Sequence, residues 1–355
     1  MRLLLKSILG LFLVIGLYLF FAPVAINPQS WDAPINEGYT GQFAANNDLA
    51  NLTQIELPDG MYGPEDVVEL NGVIYVSTQN GWILTFNPDT AIFSKFAETG
   101  GKPLGLEVWQ NTIIVADAYE GLLQITEAGE VSTLTESVGG NAMVYVDDLD
   151  VTDNGIIYFS DASTKFGAKA VGSTLAASLL EIMEHGQTGR VVAYNLNTKE
   201  TFEVAGNLSF SNGVAIAPDG NSLWVVETGK YRILEMTPEG QSRVIIDNLP
   251  GFPDNINRGP DGTYFVGLVS KRSKGIDSFS DKPFLRKMVW RLPSFIRPSA
   301  QDYGFVIQLD SKGKVLRTWQ DPAAGFPATT GAIVAGDRLY VSSLTSKTLG
   351  YRPYP

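Results

Sequence analysis

Four residues with carboxylate or amide side chains stand at the same place in repeated segments of this chain. Each begins a short run of apolar residues, in PEDVVEL, VDDLDV, SNGVAI and PDNINR. Asp and Asn form strands poorly, so a polar residue at the start of a strand-like run requires its own explanation. The four residues are Glu65, Asp147, Asn212 and Asp254, and Asp148 and Asn255 directly follow two of them.

Carboxylate and amide oxygens gathered around one point would form a site for a hard cation. Three crowded carboxylates repel one another unless a positive charge lies between them. Calcium accepts six to eight such oxygens at about 2.3–2.6 Å, whereas magnesium demands a stricter octahedron and retains its waters. Asp and Asn are also common in turns and helix caps, which is the alternative explanation for any one of these residues. Their recurrence at matched positions favours a calcium site.

These residues must be positioned by the unit that repeats, a pair of short strands joined by a tight turn. The matched starts of successive units are Glu65, Leu104, Asp147, Asn212, Asp254 and Thr330. Three of the five spacings are 39, 43 and 42 residues, close to the ~40–45 residues of a four-stranded propeller blade. The other two spacings, 65 and 76 residues, contain inserts. The predicted fold class is therefore all-β, a six-bladed β-propeller, whose innermost strands start near one end of the central channel and bring the matched residues together.

Two further features support a closed ring of blades. Asn71-Gly72, Asn154-Gly155 and Asp219-Gly220 are dipeptides that strongly indicate tight hairpin turns. Segment 53-TQIEL-57 precedes the first full unit. We expect it to supply a missing strand to the last blade, which would hide the open sheet edges.

The N-terminal segment has the composition of a membrane-spanning helix. Arg2 and Lys6 precede it, and no charged residue occurs from Ser7 through Ser30. About 20 apolar residues suffice to cross a bilayer, and the preceding basic residues place the N-terminus in the cytoplasm and the remainder on the extracytoplasmic (periplasmic) side. A cleaved signal peptide is the alternative, but FFAPVAINP offers proline and valine where small residues are expected. We expect an uncleaved signal-anchor helix that spans the membrane through residues 7–26. The chain is thus divided into an anchor at 1–27, a linker at 28–50 and a propeller at 51–355.

The two inserts differ in character. The insert at about 163–188 contains GSTLAASLLEIMEHG, which has the pattern of an amphipathic helix. The insert at about 271–299 carries eight Lys or Arg residues against two Asp, interleaved with Phe, Trp, Leu and Ile. An entrance lid or a membrane-facing patch fits this composition, and an ordinary solvated insertion is the alternative.

Composition excludes several classes of function. A net charge of −12 argues against nucleic acid as a partner, because binding phosphates requires a basic face. The absence of cysteine removes disulfides, thiolate metal sites and cysteine nucleophiles. A single histidine, His185, makes a histidine-rich zinc site impossible within this chain.

Several segments together resemble the strictosidine synthase-like family, namely PEDVV, KPLGLEV, VDDLDVTDNGIIYFSDAS, LSFSNGVAIAPDG, WVVETGKYRILEM and DNLPGFPDNINR. The resemblance covers about residues 50–350 and extends to the wider six-bladed superfamily of calcium-dependent lactonases, gluconolactonases and paraoxonases. It implies a channel Ca2+ bound by Glu65, Asp147, Asn212, Asp254 and Asn255. Where the family usually has Asn-Asp-Leu, this chain has Asp147-Asp148-Leu149, which adds negative charge.

The residues and the resemblance together predict hydrolysis of a small-molecule ester or lactone, an arylesterase- or lactonase-like activity. Calcium would polarise the carbonyl, and Asp254 or Asp147 would activate water as the catalytic base. The family's plant alkaloid synthases use a glutamate near the start of the last unit, and residues 328–340 contain none, so strictosidine synthesis is not expected. The alternative is a non-catalytic propeller that binds a ligand or partner on its rim and holds calcium as a structural ion.

A few other residues are candidates for a role in catalysis or in lining the pocket. His185 lies in the first insert, where a lone histidine is more often structural than catalytic. Tyr119, Phe166 and Phe252 are candidates to line an apolar pocket, although most aromatic side chains of a propeller pack between blades.

Overall fold

The computed structural model describes residues 2–355 and consists mainly of antiparallel strands in six four-stranded sheets. Helix α1 spans Arg2–Phe21 and strand β1 spans Thr53–Glu56. The first blade comprises β2 (Pro64–Leu70), β3 (Val73–Thr78), β4 (Trp82–Asn87) and β5 (Ile92–Glu98). The second comprises β6 (Pro103–Trp109), β7 (Thr112–Asp117), β8 (Gly121–Ile125) and β9 (Val131–Thr135), and is followed by a small hairpin of β10 (Ser137–Val138) and β11 (Asn141–Ala142).

The third and fourth blades differ by one insert. The third comprises β12 (Val146–Val151), β13 (Ile156–Asp161), β14 (Gly189–Asn195) and β15 (Thr201–Leu208), with helices α2 (Ala168–Val171) and α3 (Thr174–Glu184) between β13 and β14. The fourth comprises β16 (Ser211–Ile216), β17 (Leu223–Glu227), β18 (Arg232–Met236) and β19 (Ser242–Ile246).

The fifth blade contains the second insert, and the sixth contains both ends of the propeller. The fifth comprises β20 (Gly251–Arg258), β21 (Tyr264–Lys271), β22 (Gly304–Leu309) and β23 (Val315–Asp321), with α4 (Lys274–Ser278) and α5 (Pro283–Arg291) between β21 and β22. The sixth comprises β24 (Thr329–Ala335), β25 (Arg338–Ser343) and β26 (Thr348–Pro353), and β1 is its outermost strand.

The ring is closed by strand pairing between the two ends of the propeller. Strand β1 pairs antiparallel with β26, with Thr53 opposite Tyr351 and Glu56 opposite Thr348. The innermost strands of the six blades contact one another in turn around the axis. Both the six-bladed fold and the predicted role of segment 53–57 are therefore confirmed.

Apolar side chains fill each of the six interfaces between neighbouring blades. Between the fourth and fifth blades, for example, Trp224 packs against Tyr264 with ring centroids 4.3 Å apart. The other five interfaces contain buried clusters of the same kind. Burial of this apolar surface is what holds the blades in register and so fixes where each innermost strand begins.

Both inserts cover the same face of the propeller. The predicted amphipathic helix is present as α3, which begins with Ser173 capping the amide of Ala176 and ends at His185 in the left-handed conformation. Its apolar side packs into a further buried cluster that also contains Ile276 of α4. The inserts therefore roof the end of the channel at which the innermost strands start.

The N-terminal segments have different environments. Helix α1 is apolar, is long enough to cross a membrane, and has no buried residue. The segment from 28 to 50, expected from its polarity to be a linker, lies along the propeller with Phe43 and Leu49 buried. Its backbone is also bonded to the fold, since the amide of Leu49 donates to the carbonyl of Gln320 at 2.8 Å.

Candidate functional site

A β-bulge at the start of every innermost strand positions the candidate site. The register of each innermost strand against its neighbour shifts within its first residues in all six blades. A bulge re-aims side chains that regular pleating would send to opposite faces. It therefore explains why consecutive residues such as Asp254 and Asn255 both take part in the cluster at the channel.

The structure brings the predicted ligands together at this end of the channel. Glu65, Asp147, Asn212 and Asp254 line one cavity. Asn255 is completely buried beside them, and its amide donates to Glu65 Oε1 at 3.2 Å. The amide of Asn212 donates to Asp254 Oδ1 at 2.6 Å.

Four buried oxygens in this cluster have no hydrogen-bond partner. They are Glu65 Oε2, Asp147 Oδ2, Asn212 Oδ1 and Asn255 Oδ1. A buried polar atom without a partner is costly, and such atoms are rare in folded proteins. These oxygens come from four of the five predicted ligands, and their chemistry is that of a calcium site. The residues present therefore fit the cation that the sequence predicts.

The carboxylates alone do not make the site. Within residues 2–355, no three Asp, Glu or His side chains are gathered closely enough to hold a metal ion by themselves. The amides of Asn212 and Asn255 stand between the carboxylates and donate to them. A cation bound here would therefore need the oxygens of both amides as well as those of the carboxylates.

Burial and mutual repulsion disfavour negative charge in this cluster. Burial, and then the nearby Asp254 and Asp66, raise the pKa of Glu65 well above its usual range. Burial and the proximity of Asp254 do the same to the pKa of Asp147. Burial raises the pKa of Asp254 to about 7, although the bond from Asn212 lowers it. A proton or a cation would relieve this repulsion.

The cluster forms the polar floor of a cleft with a cavity volume of about 160 Å³. Leu104, Tyr145, Phe210 and Phe252 line it with apolar surface, and Lys271 contributes the cationic side chain of the lining. The roof is formed by α3, through residues such as Ser178 and Ile182, and by the second insert, through Ser273, Ile276 and Pro298. An apolar cleft with a few convergent polar groups is the usual form of a small-molecule site.

Of the other residues that the sequence suggested for the site, only one lines the cleft. Phe252 lines the cleft, whereas Phe166 belongs to the buried cluster under α3 and Tyr119 packs at its edge. His185 is stacked on Trp31 with ring centroids 3.9 Å apart and does not line the cleft. Burial and the nearby Arg286 lower the pKa of His185 to about 3, so it stays uncharged at neutral pH.

A second layer of polar residues lies directly after the first, and the sequence reasoning named its members Asp148 and Asn255 but missed Asp66 and the pattern that connects them. At the second position of the bulge, Asp66, Asp148 and Asn255 alternate with glycines in the intervening blades, at Gly105, Gly213 and Gly331. A Cβ on Gly105 would lie 2.6 Å from Asp148 Oδ1, so glycine leaves the space that the carboxylate needs. Asp66 accepts from the amide of Leu106, and Asp148 from the amide of Val214, which links neighbouring blades. The recurrence of glycine in LGL, NGV and TGA is the signal that would have revealed this layer.

Comparison with known proteins gives relatives along most of the chain. A strictosidine synthase family model matches residues 147–241, and a model of the strictosidine synthase-like N-terminal region matches residues 41–86. Adipocyte plasma membrane-associated protein of Salmo salar is 32% identical and covers 82% of this chain and 75% of its own length. Strictosidine synthase-like protein 6 of Arabidopsis thaliana is 32% identical over 79% of this chain and 76% of its own.

Solved structures show the same fold at low identity. A gluconolactonase from Xanthomonas campestris matches with a TM-score of 0.62 and 16% identity, covering 87% of this chain and 92% of its own. Regucalcin from Agrobacterium tumefaciens, described as a calcium-binding protein, matches with a TM-score of 0.57 and 14% identity, covering 81% of this chain and 88% of its own. At these identities the likeness is one of fold.

Proposed function

Since this chain belongs to the strictosidine synthase-like family, we propose that it is a membrane-anchored, calcium-dependent hydrolase of small-molecule esters or lactones. The observation that carries the proposal is the set of four unpartnered buried oxygens on the floor of an apolar cleft. The gluconolactonase and regucalcin with the same fold support it, because one acts on a lactone and the other binds calcium, as their names state.

Calcium would be held by Glu65, Asp147, Asn212, Asp254 and Asn255. When bound there, it would supply Lewis-acid chemistry, polarising a carbonyl and stabilising the negative charge that develops on its oxygen. The apolar walls at Phe210 and Phe252 would hold the acyl or aryl part of the substrate and exclude bulk water from it.

Of the two candidate bases, Asp254 is the better placed. Its side chain lines the cleft and is only half-buried, and the amide of Asn212 holds its Oδ1. Burial brings the pKa of Asp254 to about 7 in the calcium-free protein, and a bound cation would lower it, so the carboxylate would be ionised and able to accept a proton from water at neutral pH. Asp147 is more deeply buried, which favours the role of ligand.

Helix α1 would serve as the anchor. It is apolar and has no buried residue, and the relatives named as plasma membrane-associated proteins are consistent with a membrane location. Arg2 and Lys6 would keep its N-terminus in the cytoplasm and place the propeller on the extracytoplasmic side.

The test is to measure hydrolysis of aryl esters and lactones by the full chain with calcium, after chelation, and after calcium is restored. In Asp254→Asn we expect a loss of about 100-fold or more in kcat/KM, because the base is removed and the remaining amide oxygen is a neutral, weaker ligand for calcium. Asp153→Asn is the matched control, since Asp153 is an exposed turn residue at the opposite end of the propeller. Activity that survives chelation would contradict the proposal. Calcium that raises the Tm without any turnover would favour the non-catalytic alternative, in which the ion is structural.

A further inference from the structure

The second insert is fastened to the last turn of helix α1. Arg291 of α5 donates through Nε to the carbonyl of Ala22 at 2.6 Å and through Nη1 to that of Leu19 at 2.8 Å. The ring of Phe284, also on α5, lies 5.2 Å from that of Phe20. The last carbonyls of a helix lack partners within it and carry partial negative charge, so a guanidinium both caps and neutralises this end.

The segment that follows α1 is short and is hydrogen-bonded directly to the propeller. The amides of Asn27 and Gln29 donate to Glu184, to its side chain at 2.6 Å and to its carbonyl at 2.8 Å. Arg286 of α5 donates to carbonyls of Gln29 and of Met183 at the end of α3. If α1 crosses the bilayer, then α5 lies at the membrane surface, because Arg291 of α5 contacts the last turn of α1. The end of α3 lies close by, because only a few residues, hydrogen-bonded to Glu184, separate it from α1.

The elements beside the end of α1 also expose apolar and cationic side chains. Phe295, which is 85% exposed, and Ile296 follow α5, and Phe284 and Leu175 are exposed on α5 and α3. Lys274 and Lys282 are exposed on the same insert. Exposed aromatic and aliphatic side chains with interspersed lysines are typical of segments that lie in the membrane interface. The grouping stands out because the chain as a whole is acidic, with a net charge of −12.

The same elements form the mouth of the cleft. Leu175 is exposed and yet lines the cleft, and Pro298 and Ser299 line it just beyond Phe295 and Ile296. We propose that the face formed by α3, α4, α5 and residues 292–300 rests on the membrane surface, so that the cleft receives amphiphilic esters or lactones from the bilayer. This inference rests on α1 being the anchor described under the proposed function, and it adds the source and the chemical class of the substrate.

The absence of cysteine in the chain allows a direct measurement of depth. A fluorophore attached at Ser294→Cys reports on the proposed membrane face and leaves Phe295 and Ile296 intact. Ser311→Cys is the matched control, an exposed serine in the turn between β22 and β23 at the opposite end of the propeller. The full chain is reconstituted in vesicles of phosphatidylcholine and phosphatidylglycerol that contain a lipid with a nitroxide near the top of its acyl chain.

We expect the Ser294 reporter to be quenched several-fold more than the Ser311 reporter. Phe295→Ser combined with Ile296→Ser should reduce that quenching, whereas Ile92→Ser, on an exposed edge strand, should not. Equal quenching at the two positions, or quenching that the double substitution leaves unchanged, would overturn the inference.

Two outcomes separate this inference from the proposed function. Failure of the chain to float with the vesicles overturns both the anchor and the docking. Quenching at Ser294 without any hydrolysis supports the docking and overturns the proposed activity alone, because the depth measurement does not depend on turnover.

Discussion

At the residue scale, the candidate site combines three carboxylates that repel one another with two amides that donate hydrogen bonds to them. The pKa of each of the three carboxylates of the cluster is raised. Each amide both donates to a carboxylate and leaves one oxygen without a partner. The same five side chains therefore offer two ways to neutralise the cluster, by protons or by a cation. Low pH should favour neutralisation by protons, and higher pH should favour neutralisation by a cation.

The first prediction concerns calcium-free protein. Burial raises the pKa of folded Asp254 from 3.8 to about 7, so between these values the folded state binds a proton that the unfolded state does not. We expect this residue's contribution to stability to grow as pH falls from about 8 to 5 and to be lost as pH rises through about 7. The measurement is the Tm in a chelator across this range, compared between the wild type and Asp254→Asn.

The difference in Tm between the two proteins is the quantity that tests this prediction, because groups remote from Asp254 titrate equally in both. Glu65 and Asp147, whose pKa values Asp254 raises, belong to the same cluster and contribute to that difference. The difference should change with pH in the chelator in the stated direction. With excess calcium the trend should reverse in the wild type, since the ligands must be deprotonated to bind the ion. A difference in Tm that is independent of pH would contradict the assigned charge state.

Sequence reasoning located these residues because blades repeat, so matched positions must converge. It did not show that Asn212 pairs with Asp254, or that Asp66 and Asp148 link neighbouring blades. Those contacts depend on the bulge at each strand start, and a bulge is a matter of register between strands, which a single strand's residue pattern does not specify.

At the element scale, the second insert covers the cleft and also holds the segment after α1 against the end of α3. Its basic composition was predicted to serve a lid or a membrane face, with an ordinary solvated insertion as the alternative. Three of its arginines are instead buried: Arg286 and Arg291 donate to backbone carbonyls, and Arg272 donates to the carbonyl of Pro34 and to the side chains of Asp277 and Asn248. Carbonyl acceptors leave no trace in a sequence, so composition could not separate these arginines from the exposed lysines beside them. The amphipathic helix of the first insert was predictable, because its apolar positions recur at helical spacing.

The prediction at this scale concerns Arg286. Its guanidinium donates to carbonyls of Met183, Glu184, Gln29 and Ser280. Arg286→Met keeps a chain of similar length but leaves these acceptors unpaired, and we expect the free energy of unfolding to fall by about 2–4 kcal/mol. Hydrogen exchange should rise in residues 22–34 and near the end of α3.

The control for this substitution is Lys282→Met, an exposed lysine of the same insert, which should leave both quantities nearly unchanged. Exchange in residues 22–34 that is the same in Arg286→Met and in the wild type would show that Arg286 does not hold the segment.

At the scale of the whole molecule, closure of the ring depends on four residues. Strand β1 is the outermost strand of the last blade, and without it β26 would present an open edge. The sequence predicted this because a blade of four strands was one strand short at the C-terminal end. It did not predict that residues 28–50 lie along the propeller, since their polarity resembles that of a linker.

The prediction at this scale compares two shortened chains that differ only in β1. One begins at Thr53 and the other at Leu57. We expect the second to be less stable by about 2–4 kcal/mol, through the lost backbone pairing and the lost packing of Ile55. It should also self-associate more at high concentration, because an unpaired strand edge invites pairing with another chain. Chemical denaturation and light scattering measure the two effects, and equal values for both chains would contradict the role of β1.

The same closure sets an order of events during biosynthesis. Strand β1 is made first among the strands of the propeller, yet its partner residues from Thr348 to Tyr351 are made after every other strand of the ring. An anchor helix at the N-terminus would already be in the membrane by then, so the blades would assemble on a tethered chain whose first strand waits for its last. Chain termination before β26 would leave the first five blades complete and the ring open, so closure of the propeller waits for this one strand.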